Sequence, residues 1–161
     1  MIIKENSKGA ENNLDYIYLL IHKLKADEIF SRYGFSQKRS VEATKSYSEI
    51  IFNFHKIPEG KKEKFKKLEI EKKIARLLLA ISLPEEAARI FMKNHLVRSA
   101  EKCFKQVLMT LNGDEKAKKY IEYGKFFETE FNFGKAIEYY ESAFEAAKST
   151  ERRQESIRTK I

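Results

Sequence analysis

Apolar residues recur at three- and four-residue intervals along most of the chain, and no segment shows the apolar–polar alternation that is typical of a β-strand. Only six glycines and two prolines interrupt the 161 residues, which favours long helices and few tight turns. With 42% hydrophobic residues, the chain can build a folded core. We therefore predict an all-α protein of about seven helices.

Capping and turn residues mark where these helices begin and end. Residues 1–12 are polar and lack helical periodicity, so we expect a flexible N-terminus. The first helix is predicted from Asn13 to about Tyr33, and Gly34 ends it. Its core-facing stripe is predicted from five large side chains at helical spacing: Leu14, Ile17, Tyr18, Ile21 and Leu24.

Two more long helices follow, and the second of these is predicted over residues 61–82 with Phe65 and Ile74 facing inward. The run "SLPEE" ends that helix and starts the next, because proline and glutamate are both favoured in a first helical turn. Four shorter helices are predicted over residues 84–94, 97–111, 115–130 and 134–150. Residues 151–161 either extend the last helix or form a tail.

Small residues stand where two helices would cross, and this pattern occurs twice. Gly124 lies twelve residues before Ala136, and Ala88 lies twelve residues before Ala100, an offset of 36 residues between the pairs. A large side chain at such a crossing would force the helix axes apart. The pattern resembles the tetratricopeptide repeat, a 34-residue helix–turn–helix unit, and the resemblance covers about residues 81–150.

The resemblance implies an antiparallel helix-turn-helix stack, an α-solenoid. Residues 83–150 would form two helix pairs, capped by the long helices of residues 13–82 within one globular domain. An unrelated bundle with small residues at its crossings is the alternative. In repeats of this family the first helix of each pair lines a peptide-binding groove. The groove residues that the resemblance implies are Arg89, Met92, Lys93, Lys118, Ile121 and Lys125.

Lysine is concentrated in residues 56–76, which carry nine basic and four acidic side chains in a chain of net charge +8. One interpretation is a solvated helix face whose lysines avoid the apolar stripe. The other is a surface that attracts the phosphates of nucleic acid without reading sequence. The residues of this candidate polyanion-binding surface are Lys61, Lys62, Lys64, Lys66, Lys67, Lys72 and Lys73.

No arrangement of residues indicates catalysis, a metal site or a cofactor. The histidines, His22, His55 and His95, lack metal-ligand partners at the usual spacing, and there is no glycine-rich phosphate loop. The single cysteine, Cys103, shares a helix face with apolar residues, which favours a buried residue over a nucleophile. The longest apolar run is too short to cross a bilayer. We therefore expect a cytoplasmic protein that does not contact membranes.

Together these patterns predict a non-catalytic protein-interaction or scaffold module. It would bind another protein, or an acidic peptide segment, in the helical-repeat groove. The alternative is a basic accessory protein that binds nucleic acid through residues 56–76. Self-association through exposed aromatic residues on the end helices, giving a homo-oligomer, is a third expectation.

Overall fold

The computed structural model describes the backbone of residues 2–32 and 36–159 and the side chains of residues 14–32 and 36–158. Within these ranges the chain is helical without a strand, so the predicted all-α class is confirmed. Its seven α-helices are α1 (Ile2–Arg32), α2 (Gln37–Phe52), α3 (Lys67–Ala80), α4 (Pro84–Lys93), α5 (Val97–Met109), α6 (Gly113–Thr129) and α7 (Phe133–Thr159). Two 3-10 helices, Phe54–Lys56 and Glu59–Phe65, lie between α2 and α3.

The chain divides into two compact units, residues 1–90 (unit 1) and residues 91–161 (unit 2), and the boundary falls within α4. The capping role predicted for residues 13–82 stays a prediction. The predicted helix stop at Gly34 lies outside the described residues, as do residues 160 and 161.

Helix α1 is longer than predicted. It begins at Ile2 and not at Asn13. Residues 2–12 contain no proline, and the single Gly9 weakens a helix by only about 1 kcal/mol. The N-terminal polar segment is therefore compatible with helix even though it lacks apolar periodicity.

The predicted core stripe of α1 is wrong, because its five side chains between Leu14 and Leu24 are all exposed. The buried face of α1 lies on the other side of the helix and carries Leu19, Ala26 and Ile29. Helix α1 packs against α2, where Ala43 is also fully buried. Both faces of α1 carry apolar side chains at helical spacing, and periodicity alone does not show which face a neighbouring helix covers.

The predicted continuous helix over residues 61–82 is also wrong, and the reason is geometric. Phe65 and Ile74 are nine residues apart, so at 3.6 residues per turn they would point in opposite directions along one helix. The backbone instead turns at Lys66, which adopts the left-handed conformation with φ 47°. Both apolar residues are thereby buried, and the Phe65 ring packs edge-to-face on Tyr16 with centroids 5.8 Å apart.

A charged cluster joins three helices of unit 1. Asp27 of α1 accepts hydrogen bonds from Lys23 at 2.6 Å, from the Tyr47 hydroxyl of α2 at 2.5 Å and from Lys73 of α3 at 3.1 Å. Burial of the carboxylate acts to raise the pKa of Asp27, but these three donors outweigh it, so the pKa is lowered from its ordinary value of 3.8. The ionised form of Asp27 is therefore stabilised by folding.

Unit 2 is built around Phe104 of α5. Its ring stacks on Tyr123 of α6 with centroids 3.8 Å apart, and it meets Tyr139 of α7 edge-on at 6.3 Å. Phe127 of α6 contacts the same ring edge-on at 5.8 Å, and all four residues are buried. Helices α5, α6 and α7 therefore share one aromatic core.

The same backbone turn occurs twice in unit 2, 36 residues apart. His95 and Phe131 both adopt the left-handed conformation, with φ 58° and 59°. In each turn the next amide, that of Leu96 or Asn132, donates to the carbonyl five residues earlier at 2.9 Å. This Schellman arrangement ends one helix just before the next begins. The offset inferred from the small residues is thus present in the backbone geometry.

A hydrogen bond and an ion pair place these turns side by side. His95 Nδ1 lies 2.5 Å from Glu130 Oε1, and Lys135 Nζ of α7 lies 2.8 Å from Glu101 Oε1 of α5. The beginnings of α5 and α7 are therefore adjacent, as two stacked repeats require. The complete α-solenoid stays a prediction.

Candidate docking surface

The crossing of α6 and α7 places Gly124 beneath the ring of Tyr140. A Cβ atom at position 124 would lie 2.7 Å from Tyr140 Cε1, closer than carbon atoms pack. The Tyr140 hydroxyl donates a hydrogen bond to Glu128 at 2.5 Å, which raises the pKa of Tyr140. A side chain at position 124 would therefore displace the Tyr140 ring, whereas the sequence reasoning expected the two helix backbones to lie in close contact there.

One side of the α6–α7 hairpin faces away from α5. Tyr123 and Tyr139 contact Phe104 of α5. At 3.6 residues per turn, Ile121 of α6 lies nearly opposite Tyr123, and Phe144 of α7 lies nearly opposite Tyr139. We call this outward side the hairpin face, and its residues are Lys118, Ile121, Lys125, Ile137, Tyr140 and Phe144.

The centre of the hairpin face is apolar. Ile137 is 56% exposed and Phe144 is 66% exposed, although both are large apolar side chains. Together with the Tyr140 ring they line a shallow depression of about 510 Å³, bordered by Glu141 and Glu145. Contiguous exposed apolar side chains within a polar rim are typical of interaction sites.

Charges of opposite sign flank this apolar centre. Lys118 and Lys125 of α6 are exposed, and neither forms an ion pair with any residue whose side chain the structure describes. On α7 the acidic border is interrupted by Lys148, whose ammonium lies 5.8 Å from the Phe144 ring centroid. The α6 edge therefore presents Lys118 and Lys125, with the exposed carboxylates of Glu122 and Glu128 on the same helix.

Part of the predicted groove lies on α4 and part on the hairpin face. On α4, Arg89 is exposed and 3.4 Å from Glu85, Met92 is half-buried, and Lys93 is exposed. Arg89 belongs to unit 1 and the other predicted groove residues belong to unit 2. The predicted Lys118, Ile121 and Lys125 share the hairpin face.

The sequence reasoning missed Ile137 and Phe144 as site residues. The available signal was a second apolar row on α7, next to the small residues Ala136 and Ala143 that face α6. The sequence does not show which of two neighbouring rows is left uncovered, since that depends on the packing of α7.

A second, polar depression of about 690 Å³ lies within unit 2 where the N-terminal part of α6 meets α7. Lys116 and Arg153 line it together with Glu138 and Glu145. Charges of both signs alternate there, so it favours no ligand of one charge.

Most lysines of the candidate polyanion-binding surface interact within unit 1. Five of the seven contact a carboxylate or an aromatic ring, namely Lys61, Lys62, Lys67, Lys72 and Lys73. Lys64 and Lys66 are exposed and make no such contact with the described residues. The turn at Lys66 also divides the segment, so its lysines do not follow a single helix face.

Cys103 is fully buried, and burial raises the pKa of its thiol to about 11, so it is protonated at neutral pH. Within the described part of the chain, no three His, Cys, Asp or Glu side chains are grouped to hold a metal ion. None of the helices in that part has both the length and the apolar character needed to span a membrane.

No family model, curated protein or solved structure matches this chain. The tetratricopeptide resemblance therefore stays a prediction.

Proposed function

We propose that the protein is a non-catalytic protein-interaction module whose hairpin face docks an amphipathic segment of a partner protein. The observation that carries this proposal is the exposed apolar centre formed by Ile137, Tyr140 and Phe144. Aromatic side chains in such positions supply a large share of binding energy when a partner covers them.

The charges on the α6 edge define the chemistry of the partner segment. Lys118 and Lys125 lie seven residues apart on one helix, about 10 Å along its axis. An acidic residue on a bound segment can pair with either lysine while apolar residues enter the depression beside Phe144. The proposed partner segment is therefore apolar on one side and acidic at its edge.

Rigid support makes the surface suitable for docking. The Tyr140 ring packs on the backbone at Gly124, and its hydroxyl donates a hydrogen bond to Glu128. The ring is therefore already oriented before a partner binds. An ordered aromatic side chain loses little conformational entropy on binding, which favours affinity.

Affinity purification from the source cell, followed by titration of the purified partner, tests this proposal. Phe144→Glu is expected to weaken partner binding by about 100-fold, as for a central aromatic residue of an interface. Met109→Glu is the matched control, because Met109 is an exposed apolar residue of unit 2 outside the hairpin face. Equal affinity of Phe144→Glu and the wild type would refute the assignment of this face.

A second variant measures how much the two lysine charges of α6 contribute to partner binding. Lys118→Glu/Lys125→Glu is expected to weaken binding by about 10-fold at low salt and to reduce its salt dependence. An unchanged salt dependence would contradict an acidic partner segment.

The nucleic-acid alternative makes a different prediction. RNA or DNA binding through residues 56–76 would weaken steeply as salt is raised, and substitution of Lys64 and Lys66 would reduce it. Since Lys62, Lys72 and Lys73 already pair with carboxylates in unit 1, we expect only weak binding at physiological salt.

A further inference from the structure

Helix α1 has two apolar faces, and only one of them is covered in unit 1. Leu19, Ala26 and Ile29 form the buried face. The stripe that contains Leu14 and Leu24 lies on the other side of the helix and has no partner among the described residues. A helix that is apolar on both sides is normally buried between two neighbours.

The exposed stripe is large for a monomer. Its members are exposed to 69% (Leu14), 51% (Ile17), 51% (Tyr18), 47% (Ile21) and 65% (Leu24). Together they present roughly 500 Å², near the upper end for the largest apolar patch on a typical monomer. Two copies that cover each other's stripe would bury roughly 1,000 Å², which is the area at which specific interfaces begin.

The order of residues along the stripe makes it complementary to itself. Leu14, Ile17, Ile21 and Leu24 follow one another at intervals of three, four and three residues, so the row is the same read in either direction. A two-fold axis near residue 19 pairs Leu14 with Leu24 of a second copy and Ile17 with Ile21 of that copy. Such a symmetric contact is the commonest form of homo-oligomer interface.

The residue one helical turn beyond Leu24 favours an antiparallel over a parallel pairing of the two helices. Glu28 continues the stripe one turn after Leu24 and is exposed. Glu28 lies 3.6 Å from Arg32 of its own helix, and a parallel pair would bring two such Glu28–Arg32 pairs together and remove them from water, which is unfavourable. In the antiparallel pair the two Glu28 residues lie about 27 Å apart along the helix axes, given a rise of about 1.5 Å per residue.

We propose that α1 forms an antiparallel, two-fold symmetric helix pair with α1 of a second copy of this chain, centred near residue 19. The interface uses unit 1 only and does not depend on the hairpin face. It shares Tyr18 with the exposed aromatic residues of the end helices from which the sequence predicts self-association, and its other members are aliphatic.

Sedimentation equilibrium of the full chain at micromolar concentrations tests the stoichiometry. The wild type is expected at the mass of two chains, and Ile17→Glu/Ile21→Glu at the mass of one chain with unchanged helical content. Phe52→Glu/Leu68→Glu is the matched control, because both residues are exposed apolar residues of unit 1 outside the stripe. This control is expected to remain at two chains. A monomeric wild type, or loss of the dimer in the control alone, would overturn the proposal.

Disulfide formation tests the direction of the pairing. Leu14→Cys and Leu24→Cys are each made in a Cys103→Ala background, which removes the only native thiol. A mixture of the two is expected to form a 14–24 crosslinked dimer on mild oxidation, whereas either alone forms little. Efficient crosslinking of each variant with itself would indicate a parallel pair and overturn the antiparallel assignment.

Discussion

Replacement of Gly124 by alanine tests the packing that orients the hairpin face. Alanine favours a helix over glycine by about 1 kcal/mol. Against this, the added methyl would lie 2.7 Å from the Tyr140 ring and would force the ring outward. Overpacking of this kind costs about 1–3 kcal/mol, and the Tyr140–Glu128 hydrogen bond is strained as well. We expect a net destabilisation of about 1–2 kcal/mol.

Gly134→Ala is the matched control. No atom lies within 4 Å of a Cβ built at Gly134, which is near the start of α7, so only the gain in helix propensity remains. We expect this variant to be stabilised by up to about 1 kcal/mol.

A double-mutant cycle isolates the contact between Gly124 and Tyr140. In a Tyr140→Ala background the ring is absent, so Gly124→Ala should change from destabilising to stabilising by about 0.5–1 kcal/mol. The coupling energy between the two sites is then about 2 kcal/mol, measured by urea unfolding followed by circular dichroism. A coupling energy near zero, with Gly124→Ala as stabilising as Gly134→Ala, would refute this account of the crossing.

Three further predictions concern individual residues. The pKa of Asp27 is lowered by folding, so its contribution to stability is complete above its ordinary pKa of 3.8 and is lost as pH falls through the lowered value. Asp27→Asn should thus lose less stability than the wild type as the pH falls from about 5 to about 2 in urea unfolding. Cys103 should react with a thiol reagent only when unit 2 opens, so labelling should accelerate with urea, and rapid labelling of the native protein would contradict its burial. Phe131 has φ 59°, so Phe131→Gly should raise the free energy of unfolding by about 1 kcal/mol, and a lowered thermal midpoint would contradict this.

The helical class and most helix boundaries of unit 2 are predictable from local information. Apolar spacing identifies α5 and α6, and the small residues Gly124 and Ala136 identify a crossing that the structure contains. The 36-residue offset derived from these residues also predicts where the turn at His95 recurs at Phe131. These features depend on contacts within short stretches of chain.

The choice between competing apolar faces is not predictable in the same way. Helix α1 carries one apolar row between Leu14 and Leu24 and another with Leu19, Ala26 and Ile29, and the second row is the buried one in the unit where α1 packs on α2. The turn at Lys66 likewise allows both Phe65 and Ile74 to be buried, which one straight helix would not allow because the two side chains would point in opposite directions. Both outcomes depend on tertiary packing, which single-helix periodicity does not contain.

Only part of the candidate docking surface could be predicted from the sequence, because the rest also depends on tertiary packing. Lys118, Ile121 and Lys125 are apparent as one helix face in the sequence. Ile137 and Phe144 line a depression on α7 beside Tyr140, which lies over Gly124 of α6, and that arrangement requires the three-dimensional structure.

Photo-crosslinking from the hairpin face tests the central claim most directly. A photoreactive phenylalanine analogue at position 144, in the chain expressed in its source cell, should crosslink to one partner protein through an apolar segment with an acidic edge. The same analogue at position 109 should not capture that protein. Crosslinking to the same proteins from both positions, or to none from position 144, would contradict docking on the hairpin face.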